Sequence, residues 1–170
     1  MQRTGQPWLT RAARWLVVLA AATSLSSWSA VAQEVMQWSG HFPSISLPPI
    51  TSQAAVSVGS STVSLLLTGD AEISADNSDA ARLTGPDGDA LVTEYALAFD
   101  GDGHGSTGGP AVDYTPYDSF LAAGVPVTHV VGDDIVDVTL YVRAQSPAGD
   151  VANAGAYSAT ATLTVTWVGP

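Results

Sequence analysis

The chain has 170 residues, no cysteine and no lysine; its five basic residues are all arginine, set against sixteen acids, for a formal charge of −11. This composition excludes a disulfide, a thiolate metal site, a thiol nucleophile, a cysteine-linked lipid, a Schiff base and a P-loop lysine. With only Arg82 and Arg143 beyond residue 14, it also lacks the positive charge that neutralises a row of phosphates, so no nucleic-acid partner is expected.

Arg3, Arg11 and Arg14 flank or precede the uncharged run Trp15–Leu25, and Ala30-Val31-Ala32 supplies small residues at both positions that a signal peptidase reads. Residues 1–32 are therefore expected to be a signal peptide, because the apolar run falls short of the roughly 20 residues that a spanning helix needs. Its removal would carry away three arginines and no acid, taking the formal charge from −11 to −14. The remaining length suits one domain with one core. Exported without disulfides, such a domain rests on its core alone or on partners. The expected location is periplasmic in transit, then extracellular or cell-surface. No hydrophobic tail or basic stop accompanies Trp167-Val168-Gly169-Pro170, and no membrane anchor is expected.

Residues 33–55 read as an extended N-terminal arm. Pro43, Pro48 and Pro49 block a central strand but allow an edge segment. Val35, Met36, Trp38, Phe42, Ile45 and Leu47 are too apolar for an ordinary flexible leader, so the arm packs on its own domain or on another molecule. Residues 56–170 form the domain proper. Val63, Leu65 and Leu67 belong to a strand that begins near Val56 and ends at Gly69-Asp70, and Ala71–Ser74 is a weaker strand. Gly85-Pro86-Asp87-Gly88-Asp89 is a turn. Leu91, Thr93, Tyr95, Leu97 and Phe99 share one face of the next strand. A loop over Gly101–Pro110 follows, and Asp113–Ala123 has room for one short helical turn at most. Val125–Val131 is a further strand candidate. Val136, Val138, Leu140 and Val142 share a face opposite Asp137, Thr139, Tyr141 and Arg143. After Ser146-Pro147-Ala148-Gly149-Asp150, the alternation is strongest: Tyr157, Ala159, Ala161, Leu163, Val165 and Trp167 against Ser158, Thr160, Thr162, Thr164 and Thr166. A one-residue slip there would bury a row of hydroxyls, so its register is well specified.

Five or six short strands, glycine and proline punctuation and no helical period predict an all-β, antiparallel, immunoglobulin-like sandwich. An outer-membrane barrel is the architectural rival, but it needs about eight strands of 9–11 residues and aromatic girdles.

The closing segment Gly155-Ala156-Tyr157 through Trp167 resembles the last strand of bacterial pilin-like domains, particularly the spore coat protein U group and the archaic chaperone–usher pilins. Leu140-Tyr141-Val142-Arg143-Ala144 with Pro147-Ala148-Gly149 is similar to their penultimate strand and loop, and Trp38-Ser39-Gly40 to the start of some fimbrial subunits. Many of those relatives carry a cysteine pair in the N-terminal half, which this chain lacks. The resemblance implies a sandwich missing one strand. A periplasmic chaperone would fill the groove first; at the usher, the arm of the next like subunit would replace it by strand addition, giving a head-to-tail homopolymer. Gln33–Ile50 would be the donor, with Ile45 and Leu47 among its groove residues; Val56-Ser57-Val58 is a second donor candidate.

Site chemistry is sparse. In Asp100-Gly101-Asp102-Gly103-His104-Gly105, Asp100, Asp102 and Gly105 match the opening of an EF-hand loop, making Asp100 and Asp102 weak calcium candidates; the twelfth position is Ala111 rather than Glu. Asp133, Asp134 and Asp137 form a second acidic cluster, but the odd spacing of Asp134 and Asp137 puts them on opposite strand faces. His41, His104 and His129 are scattered, no nucleophile elbow or zinc-helix motif is present, and neither catalysis nor a cofactor is expected. The alternative function is a self-contained extracellular sandwich that binds a glycan or calcium, with Trp38, Tyr95, Tyr114, Tyr117 and Tyr141 as stacking candidates.

Overall fold

The computed structural model describes residues 34–85, 87–100, 106–149 and 152–169. Among them run eight strands: β1 (Met36–Trp38), β2 (Val56–Leu67), β3 (Asp70–Ala75), β4 (Val92–Phe99), β5 (Val112–Pro116), β6 (Val125–Val127), β7 (Ile135–Gln145) and β8 (Leu163–Gly169). A single 3-10 turn occupies Asp79–Ala81. The strands form a five-stranded sheet in the order β1-β2-β7-β4-β5 and a three-stranded sheet in the order β6-β3-β8. Every pairing is antiparallel. The fold is therefore all-β and sandwich-like, as the alternation predicts, and both sheets are open-edged rather than closed into a barrel.

Period-two patterning sets the layers. In β7, Val136, Val138, Leu140, Val142 and Ala144 are buried, and β7 is the central strand, paired over Val63↔Val138 and Leu65↔Val136 on one side and Leu97↔Leu140 and Tyr95↔Val142 on the other. From the facing sheet come Ala71 and Ile73 of β3 and Val125 and Val127 of β6; they join Leu65, Leu67, Tyr95 and Leu97 in one core. Full burial of each large apolar side chain contributes roughly 1.5–3 kcal/mol. The described residues lie in one compact unit, Ala32–Pro170. Among them no helix is long and apolar enough to cross a membrane.

Three expectations need correction. The count of five or six strands missed β1 and β5, both short edge strands. The 113–123 stretch, given room for one helical turn at most, opens on β5 (Val112–Pro116), and Pro116 is tolerated because an edge strand has one side without a partner. Leu121 (φ 52°) and Gly124 (φ 71°) then reverse the chain into β6. The candidate over 125–131 shortens to β6, since Thr128 bridges to Gly108 and Val130 to Asp133 instead. The final strand keeps its alternation from Tyr157, but its ladder starts only at Leu163, because its neighbour β3 stops at Ala75 and gives way to the 3-10 turn.

Candidate functional site

β8 has a neighbour, β3, on one side only. Upstream of it, Ser158 exchanges two backbone hydrogen bonds with Thr84 (3.1 Å each), the Thr160 amide donates to the Ala80 carbonyl (2.6 Å), and the Thr162 carbonyl accepts from the Asp76 amide (2.9 Å). Even-numbered residues thus direct their peptide groups toward β3 and the segment that follows it, residues 76–84. Strand geometry turns those of Tyr157, Ala159, Ala161, Leu163 and Val165 the opposite way. No strand among the described residues pairs with that side. The side chains of the same five residues are half-buried toward the core, while Ser158, Thr160, Thr162 and Thr164 are exposed. The final segment consequently carries an unpaired backbone edge together with an inward apolar comb.

Alongside this edge lies a groove of about 1040 Å³. Ala159 and Ala161 form one wall, Phe42, Ile45 and Leu47 of the arm form the other, and Leu140 and Val142 contribute to its apolar lining. Tyr157 stands at its margin with its hydroxyl donating to the Asn153 carbonyl at 2.9 Å. Desolvation, then the Asp89 and Asp87 carboxylates, push this phenol upward.

The arm does not project freely. β1 pairs with the end of β2 over Met36↔Leu67 to Trp38↔Leu65, and the Val35 amide donates to Thr68 Oγ1 at 2.8 Å. Trp38 meets Phe42 edge-on, with ring centroids 5.6 Å apart. Beyond that point the arm forms no strand ladder. Phe42, Ile45, Leu47 and Ile50 are half-buried against the core and the residues between them are exposed. Ser57 Oγ donates to the Pro48 carbonyl at 2.5 Å. A Cβ placed on Gly59 would lie 2.6 Å from Ile45 Cγ2. Ile45 and Leu47 therefore sit where groove residues were expected, but on their own chain. Val56-Ser57-Val58 is not a spare donor: it opens β2 and is laddered to Arg143–Gln145 of β7.

The other sequence candidates do not converge. Asp100 is exposed after β4, its amide donating to the Asp137 carbonyl at 2.7 Å, and Asp102 lies outside the described residues. Among the described residues, no three His, Asp or Glu side chains come together in a way that would hold a metal ion. Asp133, Asp134 and Asp137 have separate duties: Asp133 accepts from the Thr107 amide (2.9 Å), Asp134 meets His129 Nε2 (2.9 Å), and Asp137 accepts from Ser64 Oγ (2.5 Å). His41 is an exposed arm residue and His104 lies outside the described residues.

The aromatic candidates are likewise dispersed. Tyr95 is buried, and burial pushes its phenol up to about 12. Tyr117 donates to Asp79 Oδ1 at 3.1 Å, and that bond is the first cause of its raised pKa. Tyr114 lies under the Arg143 guanidinium, 4.3 Å from its ring centre. Tyr141 shares Arg143's face of β7, and Trp38 packs on Phe42.

What the sequence reading missed is the step in size along β2. Its inward residues run Ser57, Gly59, Ser61 and then Val63, Leu65, Leu67. The small half, visible as Ser-x-Gly-x-Ser, is where the arm comes down onto the sheet. No family model, curated protein or solved structure matches the chain.

Proposed function

We propose that the chain is an exported structural subunit that assembles by β-strand addition. The acceptor is the unpaired edge from Tyr157 to Val165, and the carrying observation is that its Tyr157–Ala161 part runs beside a groove of about 1040 Å³ whose lining includes Phe42, Ile45, Leu47, Leu140 and Val142. A segment added there gains main-chain hydrogen bonds along the edge and places alternate side chains in the groove. An open edge of this length invites aggregation unless it is covered, and covering it with a neighbour turns the hazard into an assembly device. The donor is the Gln33–Ile50 arm of another copy, and a head-to-tail contact of this kind extends into a fibre. A periplasmic chaperone holds the groove first and an usher directs the exchange, in keeping with the resemblance to pilin-like subunits. The role is structural, with no catalytic step and no cofactor, and the acidic surface keeps the exported subunit soluble before assembly.

The test separates the two faces of one strand. Ala161→Arg puts a charge into the groove, whereas Thr162→Arg puts it into solvent. Purified residues 33–170 carrying T162R should assemble as the unmodified chain does, followed by size-exclusion chromatography and light scattering. The A161R variant should remain monomeric with an unchanged circular dichroism spectrum. Normal assembly of A161R, or an unmodified chain that forms neither polymer nor chaperone complex, would overturn the reading.

A further inference from the structure

We infer that residues 42–50 are a latch that holds the subunit closed in cis, seated on Gly59, and that release of this latch sets the rate of assembly. The inference rests on the strand-addition reading above and adds a resting state to it.

The seat is shaped for a backbone. Ser57, Gly59 and Ser61 make the inner face of β2 shallow along one half, whereas Val63, Leu65 and Leu67 fill the other. A Cβ at position 59 would meet Ile45 Cγ2 at 2.6 Å, Leu47 Cδ2 at 3.0 Å and the Ser46 carbonyl oxygen at 3.1 Å. Two side chains and the main chain of the arm thus occupy the space that a side chain at 59 would need. The Ser57 hydroxyl, bonded to the Pro48 carbonyl, fixes the arm along the strand. A second observation marks the seat as specialised: Ser61 Oγ, on the same face as Ser57, is buried without a hydrogen-bond partner.

The hold is built to be released. Among the described residues, the Ser57–Pro48 bond is the one hydrogen bond between 42–50 and the sheet. Pro43, Pro48 and Pro49 have no amide to pair, and the stretch forms no ladder with β2. Four half-buried side chains do the rest of the work, with exposed residues between them. This segment is the second half of the proposed donor, so each closed copy withholds it while it lines its own groove. Opening frees donor and acceptor together, which links the two events in a way that separate elements would not.

The chain's lack of cysteine allows a clean test. The 2.6 Å approach puts positions 45 and 59 within disulfide reach, so Ile45→Cys with Gly59→Cys forms one bond with no competing thiol. Oxidised, this variant should stay monomeric; after reduction, assembly should return. A second variant tests the seat itself. Gly59→Val should expel the arm, speeding alkylation of a lone thiol placed at position 45 (Ile45→Cys) at least tenfold while the β7 amides stay protected from exchange, and should speed assembly several-fold.

Equal assembly of the oxidised and reduced double variant would overturn the latch, as would an alkylation rate at position 45 that G59V leaves unchanged. If G59V exposes the arm but no form assembles, the seat stands as a conformational device and the strand-addition reading fails. The two failures are thereby told apart.

Discussion

The Tyr95 hydroxyl donates to the Ala81 carbonyl at 2.7 Å, tying the middle of β4 to the 3-10 turn from inside the core. The ring also lies 5.5 Å from that of Phe120, so one side chain braces the turn and the β5–β6 connection. Burial pushes its phenol up to about 12 from an ordinary value of 10.0. The folded state therefore favours the neutral form, and the sign follows: this stability is complete below pH 10 and is lost as pH rises through about 12. Tyr95→Phe should cost about 1 kcal/mol at neutral pH, since it strands the Ala81 carbonyl. It should also flatten the alkaline decline of stability. Urea titrations from neutral pH to the phenol range would show this, and an unaltered alkaline limb in Y95F would assign the decline to another group.

Position along β2 decides the cost of a substitution by parity alone. Leu65 is fully buried against Val136, while Val58 is 46% exposed on the outer face of the same strand. Leu65→Ala should cost about 2–5 kcal/mol through lost burial and the cavity left behind. Val58→Ala should stay within about 0.5 kcal/mol. Thermal or chemical denaturation of the two variants measures the difference directly.

The same parity explains how much of the molecule was legible in its sequence. Strands with one dry and one wet face, such as β2, β4 and β7, write a period of two into the chain, and their large buried residues were readable: Val63, Leu65 and Leu67, Tyr95 and Leu97, and Val136, Val138, Leu140 and Val142. β1 and β5 were not, because a short edge strand buries too little to impose a pattern; Asp113–Pro116 carries no period of its own and shows as a strand only where Thr115 and Pro116 face Tyr95 and Glu94. The groove's far wall, Ala159 and Ala161, was legible as alternation. Its near wall was half legible: Ile45 and Leu47 were identifiable as apolar arm residues, but their seat on Gly59 depends on a contact across 14 residues of chain that no local pattern encodes.

Arg143 sits on the outer face of β7 with Nε and Nη2 both on Glu94 Oε2, at 2.7 and 2.6 Å, and with its guanidinium over the Tyr114 ring. This group ties the central strand to β4 and β5. It is partly exposed, so the ion pair is worth at most about 1 kcal/mol and weakens with salt. Arg143→Lys keeps the charge but loses the planar donor set that can stack on the ring and bond the carboxylate together. It should cost about 0.5–1 kcal/mol, and a cycle with Glu94→Gln should show coupling that shrinks as salt is raised. Full retention of the coupling in lysine would show that charge alone accounts for it.

Two serines on one face of β2 should respond to alanine with opposite signs. Ser57 spends its hydroxyl on the Pro48 carbonyl, so Ser57→Ala should cost about 1 kcal/mol and loosen the arm, read as faster limited proteolysis between residues 42 and 50. Ser61 lies opposite Leu140, is buried, and its Oγ has no partner, so its hydroxyl carries a desolvation penalty with no bond to offset it. Ser61→Ala removes one oxygen and leaves the strand's small profile intact. It should therefore stabilise the closed form by about 1 kcal/mol, raising the melting temperature by about 3 °C. A fall in melting temperature for S61A would show that the hydroxyl has a partner in solution, and that the shallow half of β2 is satisfied rather than waiting.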